Sequence, residues 1–214
     1  MSVVILDKSY DINIEKLYLY KGKISKLPES ISKLVNLKIL NLANNQLTTF
    51  PESIANLINL KRLCLYRNQL TTLPESIGKL VNLQYLSLKY NHLISLPETI
   101  GKLVNLKELE LNNNQLTTLP KSISKLVKLE YLYLNNNRLK NLPASILNIK
   151  KSLCIYVNSY EINNLSTDTD FLIFYKLDEE LTNLPTGLKE IWIVKQKKNL
   201  NHKLPFGCVI KYFE

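Results

Sequence analysis

The side chains able to do acid–base or nucleophilic chemistry are few and scattered. His92 and His202 are the only histidines, and neither stands at a metal-ligand spacing. Cys64, Cys154 and Cys208 form no Cys-x-x-Cys pair. A nucleophile needs a base within hydrogen-bond reach, and no such pairing is visible. Five glycines leave no phosphate-cradling loop. The sequence therefore points away from catalysis, and no cofactor or metal is expected. Tyrosine is the more informative type: twelve occur, and most recur near arginine, lysine or glutamate at related positions. That is the chemistry of contact surfaces, where tyrosine offers stiff apolar area with a polar tip.

The elements that position these residues follow from a repeat. The 214 residues include 43 leucines and 25 asparagines, and self-comparison gives a period of 23. Blocks start at Ile14, Leu37, Leu60, Leu83, Leu106 and Leu129 and read L-x-x-L-x-L-x-x-N-x-L-x-x-L-P-x-x-I-x-x-L-x-x. A seventh, worn block keeps register through Ile155, Val157, Ile162 and Leu165. Leucines at period 2, such as Leu63 and Leu65, predict short strands that share a core only when stacked. The column Asn45, Asn68, Asn91, Asn114 and Asn137 falls where the chain leaves each strand. Buried amides there are expected to form a structural ladder that satisfies turn backbone. The L-P-x-S-I segment predicts a helical return with proline in its first turn. Glu29, Glu75 and Glu98, each four residues before Lys33, Lys79 or Lys102, are expected to pair across that turn.

This pattern resembles the leucine-rich-repeat family, and its period is similar to the intracellular Ras-group class. The resemblance implies an α/β repeat fold: a right-handed solenoid with a concave parallel β-sheet and short helical or irregular convex returns. Residues 14–165 are assigned to the repeats, six regular and one degenerate. Residues 1–13 are read as an N-terminal cap, in which Val3, Val4, Ile5 and Leu6 add a covering strand. Residues 166–214 are read as irregular C-terminal repeats or a cap. Within them, Leu181 to Pro185 echoes the earlier turns, and Leu204-Pro205 returns 20 residues after Leu184-Pro185. This tail is similar to FNIP-type repeats of amoebae and giant viruses, with Trp192 expected to help close the end. That second resemblance implies a viral protein acting on host proteins.

On such a solenoid the residues between and just after the strand leucines face the concave side. The columns place there Tyr18, Tyr20, Tyr66, Tyr85, Tyr90, Tyr131, Tyr133 and Tyr156, while the convex segments of the six regular blocks carry no tyrosine. Lys16, Lys21, Arg62, Arg67 and Lys89 give the early face a basic half, Glu108 and Glu110 an acidic spot, and Asn112, Asn113, Asn135 and Asn136 a neutral later edge. Such a face suits a shaped protein partner. The expected function is a non-catalytic protein-interaction module. Two alternatives are single-stranded nucleic-acid binding by the same basic, aromatic face, and a substrate-reading subunit of a ubiquitin-ligase assembly.

The formal charge of +10 raises the question of polyanions. The surplus is spread along the chain with no run of five or six cations, and Glu108 and Glu110 sit badly under a phosphate backbone, so nucleic acid is the weaker expectation. The longest aliphatic run near the N-terminus, Val3 to Leu6, falls far short of the ~20 apolar residues of a membrane span. With no leader and too few cysteines for a disulfide framework, the chain reads as cytoplasmic. Sheet edges at the worn ends predict a monomer or a weak end-to-end dimer.

Overall fold

In the computed structural model the described residues are 2–139, Ile146, 154–158, 171–176, 190–193 and 206–212. Of residues 154–158, 171–176, 190, 192–193 and 211–212 the backbone alone is described.

Each block contributes one short strand. These are β3 Lys16–Tyr18, β4 Ile39–Asn41, β5 Arg62–Cys64, β6 Tyr85–Ser87, β7 Glu108–Glu110 and β8 Tyr131–Tyr133. β9 Cys154–Asn158, β10 Phe171–Lys176, β11 Glu190–Ile193 and β12 Val209–Tyr212 follow. All ten form one parallel sheet in strict chain order. The register repeats without slip through the first blocks: Leu40 pairs Leu63, Leu63 pairs Leu86, Leu86 pairs Leu109 and Leu109 pairs Leu132. These central leucines are wholly buried, as are Leu42, Leu65, Leu88, Leu111 and Leu134 beyond them. A leucine so buried contributes about 2 kcal/mol of apolar transfer. The two outer residues of each three-residue strand point the opposite way, by the period-2 alternation of a strand, and make the concave face.

The tail keeps this logic with a shorter step. Tyr131 pairs Cys154, 23 positions on, whereas Glu190 pairs Val209, 19 positions on. β10 to β12 thus extend the sheet rather than starting a separate layer. Tyr160, Ile162, Leu165, Leu181 to Pro185 and Leu204-Pro205 lie outside the described residues, as do the side chains of Tyr156 and Trp192.

The convex returns are single 310 turns, over Glu29–Lys33, Glu52–Asn56, Glu75–Lys79, Glu98–Lys102 and Lys121–Lys125. Each proline sits one residue ahead of its turn, in extended backbone, rather than inside it. Its carbonyl opens the turn by accepting from the buried isoleucine N–H, as Pro74 does from Ile77 at 3.1 Å. The expected Glu29–Lys33, Glu75–Lys79 and Glu98–Lys102 pairs do not close: among the described residues the ion pairs are Lys38–Glu15 and Lys89–Glu110. A 310 turn has three residues per turn, so positions four apart no longer face each other. Glu98 instead turns to the next repeat and accepts from the Ser122 N–H at 3.2 Å.

At the N-terminus the chain forms an antiparallel hairpin, β1 Ser2–Ile5 with β2 Lys8–Asp11, not a single added strand. The hairpin satisfies its own ladder and stays out of the parallel sheet. Val3 and Ile5 enter the core, and Ser30 donates to the Val4 carbonyl at 2.9 Å.

Candidate functional site

Four columns of side chains run along the concave face. Strand pairing aligns Lys16, Ile39, Arg62, Tyr85, Glu108 and Tyr131 in the first, and Tyr18, Asn41, Cys64, Ser87, Glu110 and Tyr133 in the second. Tyr66 and Lys89 belong to a third, Arg67 and Tyr90 to a fourth. Across β5 to β8 these columns enclose a depression of about 670 Å³, lined by Tyr66, Tyr85, Lys89, Tyr90, Glu110, Tyr133 and the asparagines 112, 113, 135 and 136.

Glu110 is the hub of its floor. The residue is 8% exposed, and its carboxylate accepts from Tyr85 Oη at 3.0 Å, from Ser87 Oγ and from Lys89 Nζ at 3.1 Å. Three donors from the preceding repeat offset the cost of burying the charge. Burial, and then the Glu110 charge, raise the Tyr85 phenol well above its ordinary range. It therefore stays protonated and keeps donating. Glu108 stands on the rim of this cluster. Burial and the charge of Glu110 hold its carboxyl above the usual range, with Arg62 acting in the opposite direction.

The arginines lie against rings. The Arg62 guanidinium carbon is 4.2 Å from the centre of Tyr85. That of Arg67 is 5.2 Å from Tyr66 and 5.4 Å from Tyr90, and those two rings meet edge to face at 5.6 Å. Lys89 Nζ also lies 5.3 Å from Tyr66. Such contacts give about 0.5–1 kcal/mol each at exposed sites and restrict the long side chains to few rotamers.

Backbone geometry marks the same place. The residue before each ladder asparagine, and Lys21 before Gly22 in the first block, is left-handed: Lys21, Asn44, Arg67, Tyr90, Asn113 and Asn136 have φ between 52 and 59°. Each of five of them, for example Arg67 to the Lys89 carbonyl at 3.0 Å, donates its N–H to the next repeat. Asparagine tolerates this conformation, and it fills the position in three repeats. Arg67 and Tyr90 adopt it at a cost of roughly 1–2 kcal/mol each. Tyr90 lines the depression and Arg67 lies against two of its lining rings, Tyr66 and Tyr90, so these strained residues and the contact chemistry coincide.

The ladder residues behave as one unit. Asn91 Oδ1 accepts from the Leu70 N–H at 3.0 Å, and its Nδ2 donates to the carbonyls of Leu65 and Leu88 at 2.9 Å each. Asn68, Asn114 and Asn137 repeat this pattern, and Asn45 serves both Gly22 and Ile24 with its Oδ1. A second ladder was not anticipated from sequence. Asn59, Asn82 and Asn105 donate to the carbonyls of Val35, Ile58 and Val81 at 2.9–3.0 Å along the edge, and the signal for it was their own period of 23.

Of the tyrosines singled out, Tyr66, Tyr85, Tyr90 and Tyr133 come together at the depression. Tyr131 lies on β8 beside it and is exposed. Tyr18 and Tyr20 are exposed at the far end, where they line a smaller hollow of about 260 Å³ with Leu6 and Tyr10. Tyr156 takes the same register position as Tyr133 on the next strand. Two sequence expectations need correction. Glu110 is not an exposed acidic spot, because its partners bury and neutralise it. Lys89 is not a free member of a basic half, because it is the ion-pair partner of Glu110. His92 is an exposed turn residue whose N–H bonds the Leu70 carbonyl. Among the described residues no group of three His, Cys, Asp or Glu side chains could hold a metal, and no helix is long and apolar enough to cross a membrane.

This frame, a parallel sheet with 310 returns and an asparagine ladder, defines a class. The family described as a leucine-rich repeat region matches residues 13–93 and 97–169, and the chain belongs to that family. No curated protein matches by sequence. Among solved structures the chain is similar to a leucine-rich-repeat protein of Leptospira interrogans, at 28% identity and a TM-score of 0.56, covering 94% of this chain and 66% of that one. It is also similar in fold to an internalin from Listeria monocytogenes, at 22% identity and a TM-score of 0.70, covering 89% of this chain and 58% of that one. The chain thus spans roughly two-thirds or less of either relative's length.

Proposed function

We propose that the chain is a non-catalytic protein-recognition module that binds its partner on the concave face of the third to sixth repeats. One observation carries this reading. Among the described residues the left-handed column departs from asparagine at Lys21, in the atypical first block, and at Arg67 and Tyr90, which adjoin the tyrosine-lined depression. Backbone strain kept at a solvent-facing cluster of arginine and tyrosine is what a binding site retains and a scaffold does not need. The family membership supports the same class, since such solenoids present extended concave surfaces.

The finer parts of the reading are also proposals. A host regulatory protein as partner rests on the resemblance of the tail to giant-virus repeats. An intracellular setting rests on the three scattered cysteines of the sequence, too few for a disulfide framework. A monomer, or a weak dimer through the sheet edges at β3 and β12, fits the strand order. Nucleic acid is the poorer fit, because Arg62, Arg67 and Lys89 already lie against the tyrosine faces on which bases would stack.

The test is affinity capture from nuclease-treated lysate with the wild type and with Tyr66→Ala, Arg67→Ala and Tyr90→Ala combined. The expected result is a protein partner held by the wild type and lost from a triple variant that still melts cooperatively. Capture that survives the triple change, or that vanishes with nuclease, overturns the reading.

A further inference from the structure

Cations of the central concave face divide into two kinds. Lys89 is neutralised by Glu110, whose carboxylate also accepts from Tyr85 and Ser87. Arg62 and Arg67 are exposed, and among the described residues neither has a carboxylate within ion-pair distance. Glu108 acts on Arg62 only through space. Both guanidiniums are nevertheless positioned, one against Tyr85 and the other between Tyr66 and Tyr90. The backbone of Arg67 is additionally fixed in the left-handed conformation by its N–H bond to the Lys89 carbonyl. A guanidinium with its face on a ring keeps its edge donors free, and those donors form a planar fork matched to two oxygens of one anion.

Resting on the reading of the concave face as a protein-binding site, we propose that Arg62 and Arg67 receive carboxylate side chains of an acidic, extended segment of the partner protein. The side-chain amides of Asn112 and Asn113, facing the same depression, accept and donate to that segment's polar groups. The polarity argues for such a segment over a polyanion. Glu108 and, deeper and already paired, Glu110 stand on β7, two strands beyond β5, whose repeat carries both arginines. A chain with phosphates at every step has to pass them, whereas a peptide places its acids at Arg62 and Arg67 and other residues beyond. Preorganised forks also lose little side-chain freedom on binding.

The experiment uses the full chain and fluorescence anisotropy with four labelled probes. They are a peptide alternating glutamate and serine, its glutamine and lysine counterparts of equal length, and an oligothymidylate of equal charge. The glutamate peptide is expected to bind, with the glutamine and lysine peptides and the oligonucleotide at least tenfold weaker, on the order expected for charge-assisted pairs. Arg62→Gln and Arg67→Asn are each expected to weaken it about tenfold, and Arg67→Lys, which keeps the charge without the fork, several-fold. Lys33→Gln, an exposed cation on the convex turn, is expected to leave it unchanged. Arg67→Asn restores the repeat's own left-handed residue and is expected to melt no lower than wild type, so its loss of binding is not unfolding. Equal weakening by Lys33→Gln, an oligothymidylate bound as tightly as the peptide, or no binding of the glutamate peptide overturns the proposal. In any of those cases, capture that is still lost from the Tyr66, Arg67 and Tyr90 triple variant leaves the protein-binding reading standing. Capture retained by that variant removes both.

Discussion

The convex and concave faces follow the same 23-residue period but obey different rules. On the convex side every described turn has its proline, its buried isoleucine (Ile31, Ile54, Ile77, Ile100 or Ile123) and its closing leucine, each isoleucine fully excluded from solvent. Neighbouring turns pack so closely that a Cβ on Gly101 would lie 2.3 Å from the Ser122 carbonyl oxygen. On the concave side the first column alone runs through lysine, isoleucine, arginine, tyrosine, glutamate and tyrosine. The strand backbone is satisfied by its ladder whichever side chain points outward. Repetition is enforced where one repeat must fit the next, and variety survives where the fold asks nothing. The left-handed column tests this division, because there a concave residue does carry a backbone cost.

The largest expected difference comes from truncating each face. Ile77→Ala should cost about 2–5 kcal/mol, the usual range for a buried large-to-small change, while Tyr131→Ala, 41% exposed, should stay within about 0.5 kcal/mol. Urea unfolding of both variants measures this, and similar losses would erase the distinction between the faces. Next in size, the two asparagine ladders should separate. Asn91→Ala strands the buried Leu70 N–H, while the Leu65 and Leu88 carbonyls keep Asn68 and Asn114 as donors, and should cost about 1–3 kcal/mol. Asn82→Ala on the exposed edge leaves groups that water can reach, and should cost under about 0.5 kcal/mol.

How much of this is legible in the sequence depends on the range of the interaction. The solenoid, its strand leucines and the positions of the ladder asparagines follow from spacing alone, because each is set by a contact that recurs every 23 residues. The 310 character of the returns does not. Glu29 and Lys33 at spacing four suggest a helical face only if the turn has α-helical pitch, and a five-residue segment bounded by a proline and a buried leucine has no room for it. The state of Glu110 is likewise hidden. Its donors Tyr85, Ser87 and Lys89 are 21 to 25 residues away and come from a column reading that treats each residue separately. The left-handed column had a signal, the doubled asparagine at 44–45, 113–114 and 136–137, in which the first asparagine takes the strained backbone and the second the ladder.

That column gives the next prediction. Arg67→Asn trades a strained residue for one that tolerates φ of about 50–60°, and gives up ring contacts that are weak at an exposed site. Stability should rise by about 0.5–1 kcal/mol in thermal or urea unfolding. The same change at an already relaxed position, Asn113→Arg, should lower it by a similar amount. If Arg67→Asn instead destabilises, the ring contacts outweigh the strain, and the division of labour fails at the place where it matters most for binding.

The smallest effect is one of sign. Burial and the neighbouring Glu110 charge hold the folded Glu108 carboxyl above the ordinary carboxylate range. The unfolded chain therefore releases that proton first as pH rises. Between the unfolded and folded values the native state binds more protons, so stability falls with increasing pH through that window and the penalty persists above it. Glu108→Gln removes the penalty. It should melt slightly higher than wild type near neutral pH, and the gap should close below about pH 4, where both proteins carry a neutral side chain. Taking the difference between the two melting curves cancels the titration of the other carboxylates, including Glu15 and Glu98, whose exposed groups are shifted the opposite way by Lys38 and Ser122. A gap that is absent or inverted at neutral pH would mean that Arg62 holds the Glu108 charge. Arg62 would then be partly spent inside the face, and the free guanidinium fork would reduce to that of Arg67.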